Sequence, residues 1–177
     1  MNTRFDTCLQ FILRPDIEGG KVDDPEDHGG RTAYGITQAT YDAFTGSTAD
    51  VWGITQAEVA AIYHTRYWDA CQCDLMPVGL DLAMFDSAIQ HGPGNAVRFL
   101  QRGLGVPVDG ALGPTTLGEM REFVAEGLAQ NLVANYLGER KQFYASIIEH
   151  DPTQSKWAHG WANRLDKLTA AVGAQHG

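Results

Sequence analysis

Phe5, Cys8, Leu9, Ile12 and Leu13 recur at helical spacing, which predicts an amphipathic helix over residues 4–14. Pro15 has no backbone donor and disfavours helix in the residue before it. The helix is therefore expected to kink or restart there, with Asp16, Ile17 and Glu18 as a last turn and Gly19-Gly20 as a left-handed cap. From 21 to 37 turn signals alternate with short apolar positions, which reads as turns joined by a small irregular hairpin. Thr37 is placed to cap a helix over 38–45, and Thr55-Gln56-Ala57-Glu58 is a capping box opening a helix over 56–68. Leu82, Phe85 and Ile89 share one face of a helix over 80–90 that His91-Gly92-Pro93-Gly94 stops, and Asn95 is expected to cap the next, 96–103. A compact turn region spans 105–114, and a further helix starts near Thr115. Leu132, Tyr136, Arg140 and Phe143 or Tyr144 keep the helical period across 128–149, and a last helix covers about 158–172. The pattern predicts a mainly α chain (α+β) with one small β-hairpin, no internal repeat, and a single domain over 1–177.

Charge narrows the partners. With 22 acidic against 13 basic residues the formal charge is −9, and no Lys/Arg cluster is dense enough to track phosphates, which argues against nucleic acid. The same acidity gives no long-range help toward an anionic polymer, so such a substrate would have to be held by short-range contacts in a groove. No apolar run approaches the roughly 20 residues needed to span a bilayer. The N-terminus lacks a signal-peptide pattern, so action outside a cytoplasm would require release by another agent. Cys8, Cys71 and Cys73 are an odd set that reads as reduced thiols, and Cys71-Gln72-Cys73 falls short of the four ligands of a zinc site. No metal or other cofactor is expected.

The polar, glycine-rich stretch from Glu18 to Thr37 is the candidate for chemistry. A carboxyl at the junction of a packed helix and an open loop is partly desolvated, and such a group holds a proton well enough to serve as a general acid. Glu18 could protonate a leaving glycosidic oxygen, Asp27 could orient or deprotonate a water attacking from the opposite face, and the Thr32 hydroxyl could hold that water. Glycines would let the backbone approach a sugar chain closely. Asp23, Asp24, Glu26 and Asp27 also crowd together as in a calcium loop or a solvated acidic loop, although Pro25 and His28 break the calcium template. The residue types alone leave a catalytic loop and a structural loop both open. No Gly-x-Ser-x-Gly elbow or Ser-His-Asp set is present for acyl transfer.

The run Glu18-Gly19-Gly20-x-Val22-Asp23-Asp24-Pro25-x-Asp27-x-Gly29-Gly30-x-Thr32-x-x-Gly35-Ile36-Thr37 closely resembles the signature of glycoside hydrolase family 108, N-acetylmuramidases found largely as phage and prophage endolysins. Downstream, Phe85–Gly94, Leu100–Gly110, Gly113-Pro114-Thr115-Thr116 and Gly160-Trp161-Ala162-Asn163-Arg164 are similar to the predicted peptidoglycan-binding region that accompanies it. The resemblance implies a lysozyme-like helical fold with its hairpin next to the catalytic helix, a catalytic region over 1–75 and a helical C-terminal region over 76–177. It implies Glu18 as catalytic acid and Asp27 and Thr32 as water-positioning groups, while Tyr34, Gln90 and His91 are candidate substrate contacts. His91 also reads as an electrostatic cap of its helix, and Tyr34 as a packing residue. Lys21 stands where the family carries an aromatic, and Gln90-His91 where it carries an asparagine and a small residue. The implied protein is a monomeric endolysin that cleaves the β-1,4 bond between N-acetylmuramic acid and N-acetylglucosamine. It would wait in a host cytoplasm for a holin to open the membrane. A lytic transglycosylase, a non-catalytic wall-binding or secretion-activating protein, and a delivered antibacterial effector are the alternatives.

Overall fold

The computed structural model describes residues 3–22, 31–46 and 48–175. Asp27, with the rest of 23–30, lies outside them. The chain divides into two compact units, Met1–Arg66 and Tyr67–Gly177. None of the helices among the described residues is long and apolar enough to cross a membrane.

In the first unit, helix α1 (Arg4–Ile12) opens with a reciprocal cap between Thr3 and Asp6 and buries Phe5, Cys8, Leu9, Phe11 and Ile12. It stops two residues short of the expected end. Leu13 caps it, and the chain from 13 to 18 runs as turns closed by Ile17 N–H to Arg14 O (2.9 Å), Glu18 N–H to Ile12 O (3.1 Å) and Gly19 N–H to Arg14 O (2.9 Å). The expected last helical turn at Asp16–Glu18 is thus a non-helical loop folded back on the helix end. Gly19 and Gly20 are not left-handed caps either. Gly19 is needed for closeness instead, because a Cβ there would sit 2.2 Å from the Leu13 carbonyl oxygen.

Strands β1 (Lys21–Val22), β2 (Thr32–Ala33) and β3 (Ile36–Thr37) form an antiparallel sheet in the order β1-β2-β3. Lys21 pairs with Ala33, Val22 with Thr32, Thr32 with Thr37, and Ala33 with Ile36. The small β element is therefore a tight two-residue hairpin extended by a third strand. Thr37 caps α2 (Gln38–Thr45) and the Thr55–Glu58 box caps α3 (Gln56–Tyr63), as their side-chain chemistry requires. Beyond Tyr63 the chain widens into a π-helical turn, His64–Trp68, in place of the α-helix expected to 68.

The second unit is built on α4 (Leu80–His91), whose residues Leu80 to Ala88 are all buried. A helix buried on all sides needs neighbours on all sides. They are α5 (Pro93–Leu104), α7 (Ala129–His150) and α8 (Ala158–Ala174), with α6 (Pro114–Ala125) against α5 and α7. Helix α5 begins at Pro93, earlier than expected, because proline's missing donor is harmless in a first turn. Asn95 consequently lies inside that turn, and its amide donates to the His91 carbonyl at 2.9 Å. Cys8, Cys71 and Cys73 are buried and form no disulfide. Of the four tryptophans Trp68 is fully buried, Trp52 and Trp161 are half-buried, and Trp157 is 54% exposed.

Candidate active site

The turn joining β2 to β3 consists of Tyr34 and Gly35, with φ of 53° and 72°. Two successive positive values define the mirror-image turn that suits a two-residue hairpin. Tyrosine carries a Cβ penalty in that conformation, so its place is fixed by neighbours. The Tyr34 N–H donates to Gly20 O at 2.6 Å and its carbonyl accepts from the Tyr63 hydroxyl at 2.7 Å. The turn is thereby tied on one side to the segment that follows Glu18 and on the other to the end of α3.

Glu18 is half-buried at this junction. Its Oε2 lies 2.7 Å from the point a Gly35 Cβ would occupy, and the Tyr63 hydroxyl lies 2.8 Å from the same point. Glycine at 35 therefore answers two demands, the left-handed backbone and the space taken by the carboxyl. Tyr63 itself is 1% exposed. Neither Tyr63 nor the steric role of Gly35 was among the sequence-derived site residues. Tyr63 sits in an apolar helical pattern, and nothing in that pattern separates it from an ordinary core aromatic.

Thr32 lies half-buried in the central strand, one residue after Arg31. The Arg31 guanidinium covers the Trp52 ring at 4.3 Å and is paired with Asp50, whose carboxylate also caps the 3-10 turn Val51–Gly53. Lys21, standing in place of the family's aromatic, donates from Nζ to the Trp52 carbonyl at 2.8 Å. A charged tether therefore links β1 to this turn. Glu18, Thr32 and Tyr34 belong to this first unit.

Gln90 and His91 belong to the second unit, where they border a buried ionic cluster. Asp86 is fully buried and meets Arg140 at 2.6 Å and Arg164 at 2.8 Å. Burial alone would raise the Asp86 pKa, but the two guanidiniums outweigh it and hold the carboxyl below its ordinary range. Gln90 Oε1 accepts from Arg140 at 3.3 Å and from the Tyr144 hydroxyl at 3.0 Å. His91 Nε2 meets the same hydroxyl at 3.2 Å, and its ring packs edge-on against Phe99, Phe143 and Tyr144. Desolvation, and then the charge of Arg140, push its pKa down to about 4. At neutral pH the ring is uncharged, so His91 is no electrostatic cap of α4. The Tyr144 ring stacks on Trp161 at 5.0 Å.

Residues 9–92 match the family model for glycosyl hydrolase 108, and residues 95–166 match that for a predicted peptidoglycan domain. No curated protein matches the chain. Among solved structures, that of Brucella abortus SagA superposes with a TM-score of 0.82 at 32% identity, over 97% of this chain and 94% of that one. Glu18 and its hairpin fall inside the first matched segment, and Arg140 and Arg164 inside the second. This mainly α, lysozyme-like chain belongs to glycoside hydrolase family 108, whose members are directed at peptidoglycan.

Proposed function

We propose that the protein is an N-acetylmuramidase that hydrolyses the β-1,4 bond between N-acetylmuramic acid and N-acetylglucosamine, with Glu18 as the general acid. The observation that carries this reading is the Glu18 carboxyl at the Tyr34-Gly35 turn, half-buried and backed by backbone and by Tyr63. An acid so framed can protonate a glycosidic oxygen while the sugar develops oxocarbenium character. In this scheme Asp27 orients or deprotonates the water that replaces the leaving sugar, and the Thr32 hydroxyl holds that water. Tyr34 contacts a sugar face, and Gln90 and His91 are further candidate substrate contacts. The protein acts on glycan strands as a monomer, without metal or cofactor.

The reading extends to an endolysin that a holin releases from the host cytoplasm, a route supported by the family resemblance. The charge of −9 supports a partner other than nucleic acid.

Digestion of purified peptidoglycan by the wild type and Glu18→Gln, with mass spectrometry of the fragments, tests the chemistry. The wild type is expected to release fragments with N-acetylmuramic acid at the reducing end, and Glu18→Gln to lose nearly all activity. Equal activity in the variant would remove Glu18 from the mechanism. N-acetylglucosamine reducing ends would overturn the bond assignment, and 1,6-anhydro products would make the protein a lytic transglycosylase.

A further inference from the structure

We infer that Tyr63 is a positioning residue for Glu18, holding the carboxyl and the turn behind it in a single arrangement; the inference rests on Glu18 being the catalytic acid. Three segments far apart in sequence converge at one point. They are the loop after α1, the hairpin turn and the last residue of α3. The missing Cβ of Gly35 marks that point, with Glu18 Oε2 at 2.7 Å and the Tyr63 oxygen at 2.8 Å. The Tyr63 ring is locked by complete burial, so its hydroxyl is a fixed post.

The direction of its hydrogen bond matters. A tyrosine hydroxyl has one proton to donate, and here it goes to the Tyr34 carbonyl at 2.7 Å. The same bond restrains Tyr34, whose left-handed backbone costs roughly 1–2 kcal/mol for a non-glycine residue. Releasing it would let the turn relax toward the space the carboxyl occupies. One hydroxyl thus bears on Glu18 by sharing the space beside Gly35 with its carboxyl and by holding the turn behind it.

Tyr63→Phe removes the hydroxyl and keeps the ring. Tyr41→Phe is the matched control, since it deletes another buried tyrosine's hydrogen bond in the same unit, to Glu58 at 3.2 Å, without touching the turn. On soluble uncross-linked glycan strands, Tyr63→Phe is expected to lower kcat by about tenfold or more with KM within about twofold, as misplacement of a reacting group does. Tyr41→Phe is expected to leave both constants near wild type. In protein carrying 13C at the glutamate carboxyl, the Glu18 resonance should move in Tyr63→Phe and stay in Tyr41→Phe, a readout that needs no turnover. An unmoved resonance in Tyr63→Phe, or equal kcat losses in both variants, would overturn the inference. A moved resonance alongside full activity of Glu18→Gln would instead sink the acid assignment while showing that Tyr63 holds the carboxyl, so the two failures are distinct.

Discussion

At Gly35 a hydrogen atom stands where other residues carry a carbon, and the Glu18 carboxyl fills the space that is left. Gly35→Ala forces a Cβ to within 2.7 Å of Oε2 at a backbone φ of 72°. The carboxyl can swing away, but the turn cannot relieve its own strain without losing the Tyr34 bonds to Gly20 and Tyr63. The variant should lose stability by roughly 1–2 kcal/mol. Its activity should fall by about a hundredfold, since displacement of a reacting group by about 1 Å has effects of that size. Thermal melts and initial rates on peptidoglycan measure the two losses, and an active Gly35→Ala would mean that the carboxyl's position is not critical. Glu18 could be singled out as a candidate because it begins a specific motif. The function of Gly35 was only half legible, since the motif marks a glycine but not what presses on it. Tyr63 was illegible, because its contact with Tyr34 spans 29 positions and leaves no local trace. Gly19 was misread for a related reason. A glycine after a helix suggests a left-handed cap, whereas a backbone passing 2.2 Å from where its Cβ would be is a tertiary fact.

Among the elements, those with their own caps could be read from local chemistry, as Thr37 and the Thr55–Glu58 box show for α2 and α3. Helix α4 could be located but its role could not. Its periodicity suggested one apolar face, yet the residues between the apolar positions are buried too, including Asp86. The partners of Asp86 lie 54 and 78 positions away, and Arg140 looked like one more periodic position of a long helix. Buried ion pairs often contribute little beyond their own desolvation cost, while removing one member strands the other. Asp86→Ala leaves two guanidiniums in the core without their carboxylate. It should destabilise the protein by about 3–5 kcal/mol, read as a lower midpoint in urea with an unchanged slope. Replacing Asp86, Arg140 and Arg164 together by apolar residues of similar volume should cost much less than that single change. A large loss in both would assign the cluster a net stabilising role of its own.

For the whole molecule the charge of −9 and the half-buried His91 pull in opposite directions as pH falls. Approaching the isoelectric point near 5.0 relieves repulsion among surface carboxylates, which favours the compact state. His91 opposes it. Its native pKa of about 4 lies below the ordinary 6.5, so between those values the unfolded chain binds a proton that the native chain refuses. The stability this neutral ring allows is complete above about pH 6.5 and is lost as pH falls toward about 4. Arg140 and Arg164 disfavour the charged imidazole, and Asp86 only partly offsets them. A single stability curve would mix these terms, so the difference between two curves is the informative quantity. His91→Phe keeps a ring against Phe99 and Phe143 and removes the titration. The stability of wild type relative to His91→Phe should be constant above about pH 6.5, decline below it and level off below about 4. Urea melts of both proteins across that range measure it. A flat difference would mean that protonated His91 finds a charge partner in the native state, with Gln90 or the Tyr144 hydroxyl reoriented to help receive it.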